Sequence, residues 1–154
     1  MISFQNIEFL EADLKDYIIP AEKVAHVQLG NNLEHALLVL TKSGYSAIPV
    51  LDAHFRLHGL ISSPIITESI LGLERIEFEK LESMRVEDVM EKNIPRFLLD
   101  DRFYNALDLL IDHPFLCVEN EGGVFEGILT RRVILKQLKR YTNHLIHQSH
   151  IQES

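Results

Sequence analysis

The 154-residue chain has few of the residues that build disulfide frameworks, cysteine-based metal clusters and membrane spans. Cys117 is the only cysteine, so the chain can form no internal disulfide and no cluster of cysteine ligands. No apolar run approaches the roughly 18 residues that a membrane span requires. Cys117 lies in the apolar run "FLCVEN", and we therefore predict an inert thiol in the core.

Positive charge is also scarce. The 15 lysines and arginines oppose 23 aspartates and glutamates, which gives a formal net charge of −8. Nucleic-acid binding needs a basic face that displaces counterions, so we expect no nucleic-acid partner. The opening stretch "MISFQNIEFLEADLKDY" is acidic and amphipathic, unlike a secretory signal. We predict a cytoplasmic protein without membrane association.

Patterns typical of catalytic and metal sites are missing too. The sequence shows no Ser–His–Asp order, nucleophile elbow or Walker-type glycine-rich loop. His144, His147 and His150 are three residues apart and form a drifting stripe on a continued helix, but no carboxylate or cysteine accompanies them in ligand register. We therefore predict no enzyme activity, no metal site and no cofactor.

What the chain does contain is an internal repeat. Residues 36–37 match residues 106–107 at an offset of 70, and Gly59 matches Gly127 at an offset of 68. Two residues are therefore lost between the helix and the strands of the second copy. Repetition at this scale indicates two supersecondary units that bury their apolar faces against each other.

Each copy reads as strand, helix, two strands joined by a turn, and a second helix. Gly44 is placed to end the first helix of the first copy, and Pro114 follows the corresponding helix of the second copy. The closing helices begin near Pro64 and Arg131. The apolar helix positions are Leu33, Ala36, Leu37 and Leu40, mirrored by Phe103, Ala106, Leu107 and Leu110.

The predicted fold class is α/β (α+β), with two β-α-β-β-α repeats packed as a pseudo-two-fold pair. The predicted boundaries are an N-terminal amphipathic helix over 1–18, repeat 1 over 19–73, a helical linker over 74–85, repeat 2 over 86–142 and a C-terminal tail over 143–154.

Two arginines stand together at a strand-to-helix junction in "FEGILTRRVILKQL". Guanidinium groups bind phosphate through paired hydrogen bonds, and a helix N-terminus adds positive potential. Neighbouring helix positions point about 100° apart, so one arginine can face a ligand while the other meets a carboxylate or a partner. The junction therefore suits an anionic ligand.

The duplicated pattern resembles the CBS domain, and the tandem resembles a CBS pair, or Bateman module, over about residues 5–142. The resemblance rests on "NLEHALLVLTKSGYSAIPVLD" and "GLISS" in the first copy, and on "VEDVMEKNIPRFLLDDRFYNALDLL" and "GILTRRVIL" in the second. The short N-terminal helix and "GYSAIPVLD" further resemble the stand-alone cyclic di-AMP-binding CBS proteins of Gram-positive bacteria.

This resemblance implies a regulatory protein that binds a nucleotide between its repeats and forms a homodimer through its helices. It also implies a regulated protein partner, either a metabolic enzyme or a guanosine pentaphosphate/tetraphosphate synthetase-hydrolase. The ligand-binding residues implied by the family pattern are Lys23, Ala25, Val27, Tyr45, Ser46, Ala47, Thr130, Arg131 and Arg132.

The sequence departs from the family's ribose-binding pattern. CBS sites for linear nucleotides carry an aspartate six residues after the repeated glycine, but here those positions are Ile65 and Val133. The departure favours cyclic di-AMP over AMP, ADP or ATP as the ligand. An energy sensor with the same fold, and an interaction module with a vestigial cleft, remain the alternatives.

Overall fold

The computed structural model describes residues 13–153, and the side chains as far as residue 149. Its strands are β1 (Ile19–Pro20), β2 (Val27–Gln28), β3 (Ala47–Leu51), β4 (Leu57–Ser62), β5 (Arg96–Leu98), β6 (Phe115–Glu119) and β7 (Phe125–Thr130). Its α-helices are α1 (Leu33–Ser43), α2 (Ser63–Ile70), α3 (Lys80–Ser83), α4 (Val86–Val89), α5 (Phe103–Asp112) and α6 (Arg131–Glu153). Leu14–Asp16 and Ala21–Lys23 form single 3₁₀ turns.

The two repeats fold alike, as the sequence predicts. Val50 lies opposite Gly59 in the β3–β4 hairpin, and Val118 lies opposite Gly127 in the β6–β7 hairpin. Each hairpin also shifts register at the next residue pair, by the same irregularity. The duplication and its offset of 68 in the hairpins are therefore confirmed.

The long helix of each repeat begins, ends and packs as its sequence dictates. Asn32 caps α1 by accepting a hydrogen bond from the His35 N–H at 2.9 Å, and Gly44 ends it with a left-handed φ of 77°. The apolar positions at helical spacing face the cores because they recur on one side of each helix. The buried ones are Leu33, Ala36 and Leu40 in α1, and Phe103, Ala106 and Leu110 in α5.

Each repeat contributes a short extended segment to the sheet of the other. One sheet has the order β1-β7-β6-β5, so the first strand of repeat 1 pairs antiparallel with the last strand of repeat 2. The other sheet has the order β2-β3-β4, and its Leu60 exchanges two backbone hydrogen bonds, of 2.9 and 2.8 Å, with Glu91. This reciprocal exchange ties the repeats together.

The repeated glycines make room for these crossing segments. A Cβ on Gly127 would lie 2.2 Å from the carbonyl oxygen of Ile19, and a Cβ on Gly59 would lie 2.5 Å from that of Glu91. Side chains do not fit at either position without displacing the backbone of the other segment. The repeat therefore preserves glycine where the two halves cross.

The hairpin tips meet across the pseudo-two-fold axis. The Leu57 N–H donates to the Gly123 carbonyl at 3.1 Å, and the Phe125 N–H donates to the Phe55 carbonyl at 2.9 Å. A shift of 68 residues converts the first bond into the second. Beneath the tips lies the inter-repeat core, whose buried members are Ala21, Val24, Leu51, Leu57, Phe115, Cys117, Phe125 and Ile128.

Three predicted segments differ from, or fall outside, what the structure describes. Within the linker 74–85, only Lys80–Ser83 is helical. The segment predicted as a C-terminal tail continues α6 as far as Glu153. The predicted N-terminal helix lies mostly outside the described residues, and its described end contains the 3₁₀ turn Leu14–Asp16. Between residues 13 and 153, no helix is long and apolar enough to cross a membrane.

Candidate functional site

The predicted ligand-binding residues lie on neighbouring elements at the boundary between the repeats. Lys23 ends the 3₁₀ turn that lies against β7, the strand that ends at Thr130. Tyr45 and Ala47, at the start of β3, pack against the inter-repeat core that contains Val24. The structure therefore places the first-repeat and second-repeat parts of the predicted site on adjoining elements.

Most of these side chains are accessible, but Val27 is not. Its side chain is 1% exposed and belongs to the core of repeat 1, because strand alternation turns Val27 inward and Gln28 outward. The side chain of Val27 therefore belongs to the core, and the predicted ligand contact of this residue stays a prediction. Lys23 and Ser46 are exposed, and Ala25, Tyr45, Ala47 and Thr130 are half-buried.

Thr130 serves as the N-cap of α6. Its hydroxyl oxygen accepts a hydrogen bond from the Val133 N–H at 3.3 Å, as the Ser62 hydroxyl accepts one from the Ile65 N–H at 3.3 Å in the first repeat. Such caps satisfy one of the free N–H groups of the first turn. The cap also fixes where Arg131 and Arg132 leave the strand.

Arg131 is bound to the end of the preceding helix. Its Nε donates to the Leu110 carbonyl at 2.6 Å and its guanidinium NH₂ donates to the Ile111 carbonyl at 2.8 Å. Cations are favourable at a helix C-terminus, where the last carbonyls lack partners within the helix. In this conformation the Arg131 guanidinium joins α6 to α5. The predicted phosphate contact of Arg131 stays a prediction.

Arg132 has the opposite surroundings. Its side chain is exposed and makes no hydrogen bond or ion pair with the described part of the chain. The same holds for Lys23, at the end of its 3₁₀ turn. Of the three predicted cations, these two have side chains that are not already engaged.

The pseudo-two-fold axis relates the predicted ligand-binding residues to a cavity in the other half of the protein. It has a volume of about 390 Å³ and lies between β4 of repeat 1 and the strands of repeat 2. The repeat offsets relate its lining residues to the predicted site, since Asn93, Pro95, His113 and Phe115 correspond to Lys23, Ala25, Tyr45 and Ala47. The predicted residues thus occupy the position that forms a cleft in the other half.

Sequence reasoning missed Val24 and Ile128, which are buried beside the predicted residues in the inter-repeat core. The repeat offset is the signal that identifies them. Val24 corresponds to Ile94 and Ile128 corresponds to Leu60, both of which line the cavity of the other half.

The comparisons with known proteins agree with this architecture. The sequence matches the CBS domain over residues 14–72 and 86–140. The chain belongs to the CBS domain family. The match places one CBS repeat on each side of the pseudo-two-fold axis.

Full-length CBS relatives are close in sequence and structure. The chain is 57% identical over 145 residues to cyclic di-AMP receptor B of Bacillus subtilis strain 168, which covers 94% of this chain and 99% of the relative. The CbpB protein of Listeria monocytogenes, solved in complex with c-di-AMP, has 62% identity and a TM-score of 0.80, covering 84% of this chain and 97% of CbpB. A CBS domain-containing protein of unknown function from Bacillus anthracis has 64% identity and a TM-score of 0.80, covering 86% and 96%.

Both CBS repeats place apolar side chains where a ribose-binding aspartate would stand. Ile65 packs against the core of the first repeat, and Val133 packs against the core of the second. Their backbone N–H groups bond to the cap residues of their own helices. Neither position therefore offers a carboxylate to ribose hydroxyls.

The remaining reactive groups of the CBS pair are inert or dispersed. Burial raises the pKa of the Cys117 thiol to about 12, and the prediction that this residue is buried is confirmed. His144 lies 3.0 Å from the Gln148 amide along α6. Among the described residues, no group of three His, Cys, Asp or Glu side chains is placed to hold a metal ion.

Proposed function

We propose that this protein is a non-enzymatic sensor that binds cyclic di-AMP in the cleft between its CBS repeats. We call this cleft the first cleft and assign to it Lys23, Ala25, Tyr45, Ser46, Ala47, Thr130 and Arg132. The observation that carries the proposal is the 62% identity to a CBS protein solved with c-di-AMP. The proposed setting is the cytoplasm.

The cations of the first cleft suit the ligand's phosphates. Cyclic di-AMP presents two adenines and two singly charged phosphates, and Arg132 and Lys23 both have side chains without partners in the described chain. Arg132 follows the first residue of α6, so the unbonded N–H groups of that helix add positive potential. Arg131 supports this arrangement by fixing α6 to the end of α5.

The uncharged residues suit the adenines. Tyr45 presents an aromatic face, and stacking of a base on such a face contributes about 1–3 kcal/mol. Ala25 and Ala47 are small and half-buried, so they leave room where a larger side chain would occupy the space of a purine. The apolar residues at positions 65 and 133 disfavour the linear nucleotides, whose free ribose hydroxyls would meet no carboxylate.

Calorimetric titration tests this specificity. The purified protein is titrated with cyclic di-AMP, cyclic di-GMP, AMP and ATP under identical salt conditions. We expect micromolar or tighter binding of cyclic di-AMP and at least about tenfold weaker binding of the others. Tight binding of AMP or ATP without binding of cyclic di-AMP would support the energy sensor instead. No binding of any nucleotide would support the interaction module with a vestigial cleft.

The proposed sensor acts as a homodimer. The groove between α5 and α6 is lined by Leu107, Leu110, Ile111, Arg131, Ile134, Leu135 and Leu138. Ile111 is 73% exposed and Leu135 is 64% exposed, which is a large apolar surface for a free helix face. We expect Leu135→Glu to convert a dimer into a monomer in light scattering, whereas Lys136→Glu on the same helix leaves the dimer intact. A wild-type monomer would contradict this part of the proposal.

The proposed output is a change in affinity for a protein partner, because a ligand shifts an equilibrium only through differential binding to its two states. The partner classes are a metabolic enzyme and a guanosine pentaphosphate/tetraphosphate synthetase-hydrolase. The test measures binding of such an enzyme to the free protein and to the protein saturated with cyclic di-AMP. Equal affinity in the two states would remove the regulatory part of the proposal.

A further inference from the structure

Four large apolar side chains are exposed to solvent in the segment that directly follows α2. We call residues 71–78 the linker hairpin, and these side chains are Leu71, Leu73, Ile76 and Phe78. Leu73 is fully exposed and Phe78 is 64% exposed. Single exposed apolar side chains are common on proteins, but a contiguous apolar patch marks a surface that interacts with another molecule. The patch lies outside the first cleft and outside the groove between α5 and α6.

The backbone of the linker hairpin is held by its own hydrogen bonds. Leu71 and Ile76 pair antiparallel, which places their side chains on the same face. The Gly72 N–H donates to the Arg75 carbonyl at 2.8 Å and closes the turn. Leu73 lies in this turn and is therefore presented to solvent by an ordered backbone. An apolar side chain that is already ordered loses less conformational entropy when a partner binds it.

The duplication of the chain does not account for the linker hairpin. A shift of 68 residues places Leu71 on Lys139, where α6 continues as a helix. In the first repeat, α2 ends at Ile70 and the chain turns back, so that α3 lies against α1 and α2. The linker hairpin is therefore specific to repeat 1.

The rim of the linker hairpin is acidic. Residues 68–82 contain five glutamates and two cations. Both cations are engaged within this segment, since Arg75 pairs with Glu79 and Lys80 pairs with Glu77 at 2.9 Å. The other glutamates make no ion pair with the described residues, and they are Glu68, Glu74 and Glu82. Unpaired carboxylates around apolar side chains favour a partner surface with complementary basic residues.

The same negative charge disfavours other occupants of this surface. In a two-fold contact between copies of this chain the same surface meets itself, so the unpaired Glu74 carboxylates of the two copies would come together. Anionic lipid headgroups and nucleic-acid phosphates would meet the same repulsion. The charge therefore selects a protein partner with a basic surface.

We propose that the linker hairpin docks into an apolar pocket of a protein partner, and that lysine or arginine side chains surround this pocket. Leu73 enters the pocket, Phe78 packs at its edge, and Glu74 pairs with a cation of the rim. This inference rests on the proposed function for the existence of a regulated partner, and it adds where that partner binds. Nucleotide and partner then occupy different surfaces of the protein.

The test measures binding of the purified guanosine pentaphosphate/tetraphosphate synthetase-hydrolase to the nucleotide-free protein by biolayer interferometry. Leu73→Ser should lower the affinity at least about tenfold, because it removes a side chain that becomes buried only in the complex. Its melting temperature and its affinity for cyclic di-AMP should equal those of the wild type, because Leu73 is fully exposed in the free protein. Wild-type affinity for the enzyme in Leu73→Ser would overturn the proposal.

Charge reversal tests the basic rim of the pocket. Glu74→Lys should lower the affinity for the enzyme at least about threefold and make it less sensitive to salt, because it replaces an attraction with a repulsion. The matched control is Glu121→Lys, at an exposed turn of repeat 2, and it should bind the enzyme like the wild type. Equal losses in the two variants would show that net charge alone governs binding, which contradicts docking at the linker hairpin.

Two further outcomes separate this inference from the proposed function. If the enzyme binds neither the wild type nor any variant, the proposed partner and the docking surface are both wrong, while cyclic di-AMP binding is unaffected. If Leu73→Ser converts the wild-type oligomer into a smaller species in light scattering, a second copy covers the linker hairpin. That result would overturn this inference alone.

Discussion

Replacing the two neighbouring arginines one at a time should separate ligand binding from helix packing. Arg132→Ala removes a cation without partners in the described chain, so the free protein should lose little stability. A charge-assisted hydrogen bond to phosphate contributes about 1.5–3 kcal/mol. Since about 1.4 kcal/mol is a factor of ten, the affinity for cyclic di-AMP should fall by roughly tenfold to more than a hundredfold.

Arg131→Ala should lower the stability of the free protein more, and the affinity for cyclic di-AMP less, than Arg132→Ala. It removes the two hydrogen bonds that join α6 to the Leu110 and Ile111 carbonyls. The side chain is exposed, so solvent reduces the contribution of these bonds to about 1 kcal/mol in total. A loss of that size lowers the melting temperature of a chain of this length by about 2–4 °C. The affinity should fall less than in Arg132→Ala, because α6 becomes less firmly placed but keeps its phosphate ligand.

Thermal unfolding without ligand and calorimetric titration with cyclic di-AMP measure the two effects on the same samples. Lys139→Ala is the matched control, since it removes an exposed cation from α6 eight residues beyond Arg131. It should change neither the melting temperature nor the affinity. Wild-type affinity in Arg132→Ala, together with lost binding at unchanged stability in Arg131→Ala, would show that the roles of the two arginines are reversed.

Further predictions concern the packing and titration of the CBS pair. Gly127→Ala should destabilise the protein by about 1–3 kcal/mol in denaturant unfolding, because its Cβ would lie 2.2 Å from a backbone oxygen. The control Gly122→Ala should be nearly neutral, because the nearest neighbour of its Cβ is 3.4 Å away. Cys117, with a pKa of about 12, should react with a thiol reagent at pH 8 only after unfolding, and rapid labelling of the folded protein would contradict its burial. The hydrogen bond with His58, the main cause, and backbone N–H donors lower the pKa of Asp52 to about 2. The stability this carboxylate contributes is therefore present above about pH 4 and lost as the pH falls toward 2, and Asp52→Asn should flatten the acid unfolding profile in that window.

The repeat and its helices could be predicted because local sequence determines them. The apolar spacing in α1 and α5 gives three buried positions in each helix. Gly44 supplies the left-handed residue that ends α1. The matched glycines at positions 59 and 127 lie at equivalent points of the two hairpins. These features depend on residues close in sequence or on the repeat itself.

Other features depend on contacts between distant segments. The strand Ile19–Pro20 has two residues, which is too short for a periodic pattern, and it forms only because β7 offers an edge. The continuation of α6 beyond residue 142 carries few apolar residues, so its helical period is weak in the sequence. Within the linker, eight of the twelve residues of 74–85 lie outside a helix despite their helical spacing.

The surroundings of the candidate side chains could be predicted only in part. Strand alternation turns the Val27 side chain into the core. The end of α5 lies within reach of Arg131, and its carbonyls accept from the guanidinium. The ligand contacts predicted for these two residues stay predictions. Sequence alone gives the spacing of Arg131 and Arg132 along the helix. It does not give the neighbour that each side chain meets.

The decisive experiment is a crystal structure of the protein with cyclic di-AMP. We expect the nucleotide in the first cleft, with a phosphate oxygen at about 2.7–3.1 Å from the Arg132 guanidinium and an adenine against Tyr45. We also expect the Arg131 guanidinium to stay on the carbonyls of α5. Cyclic di-AMP bound instead in the cavity beside Glu91 and His113, or a first cleft left empty at saturating nucleotide, would show that the proposed site is wrong.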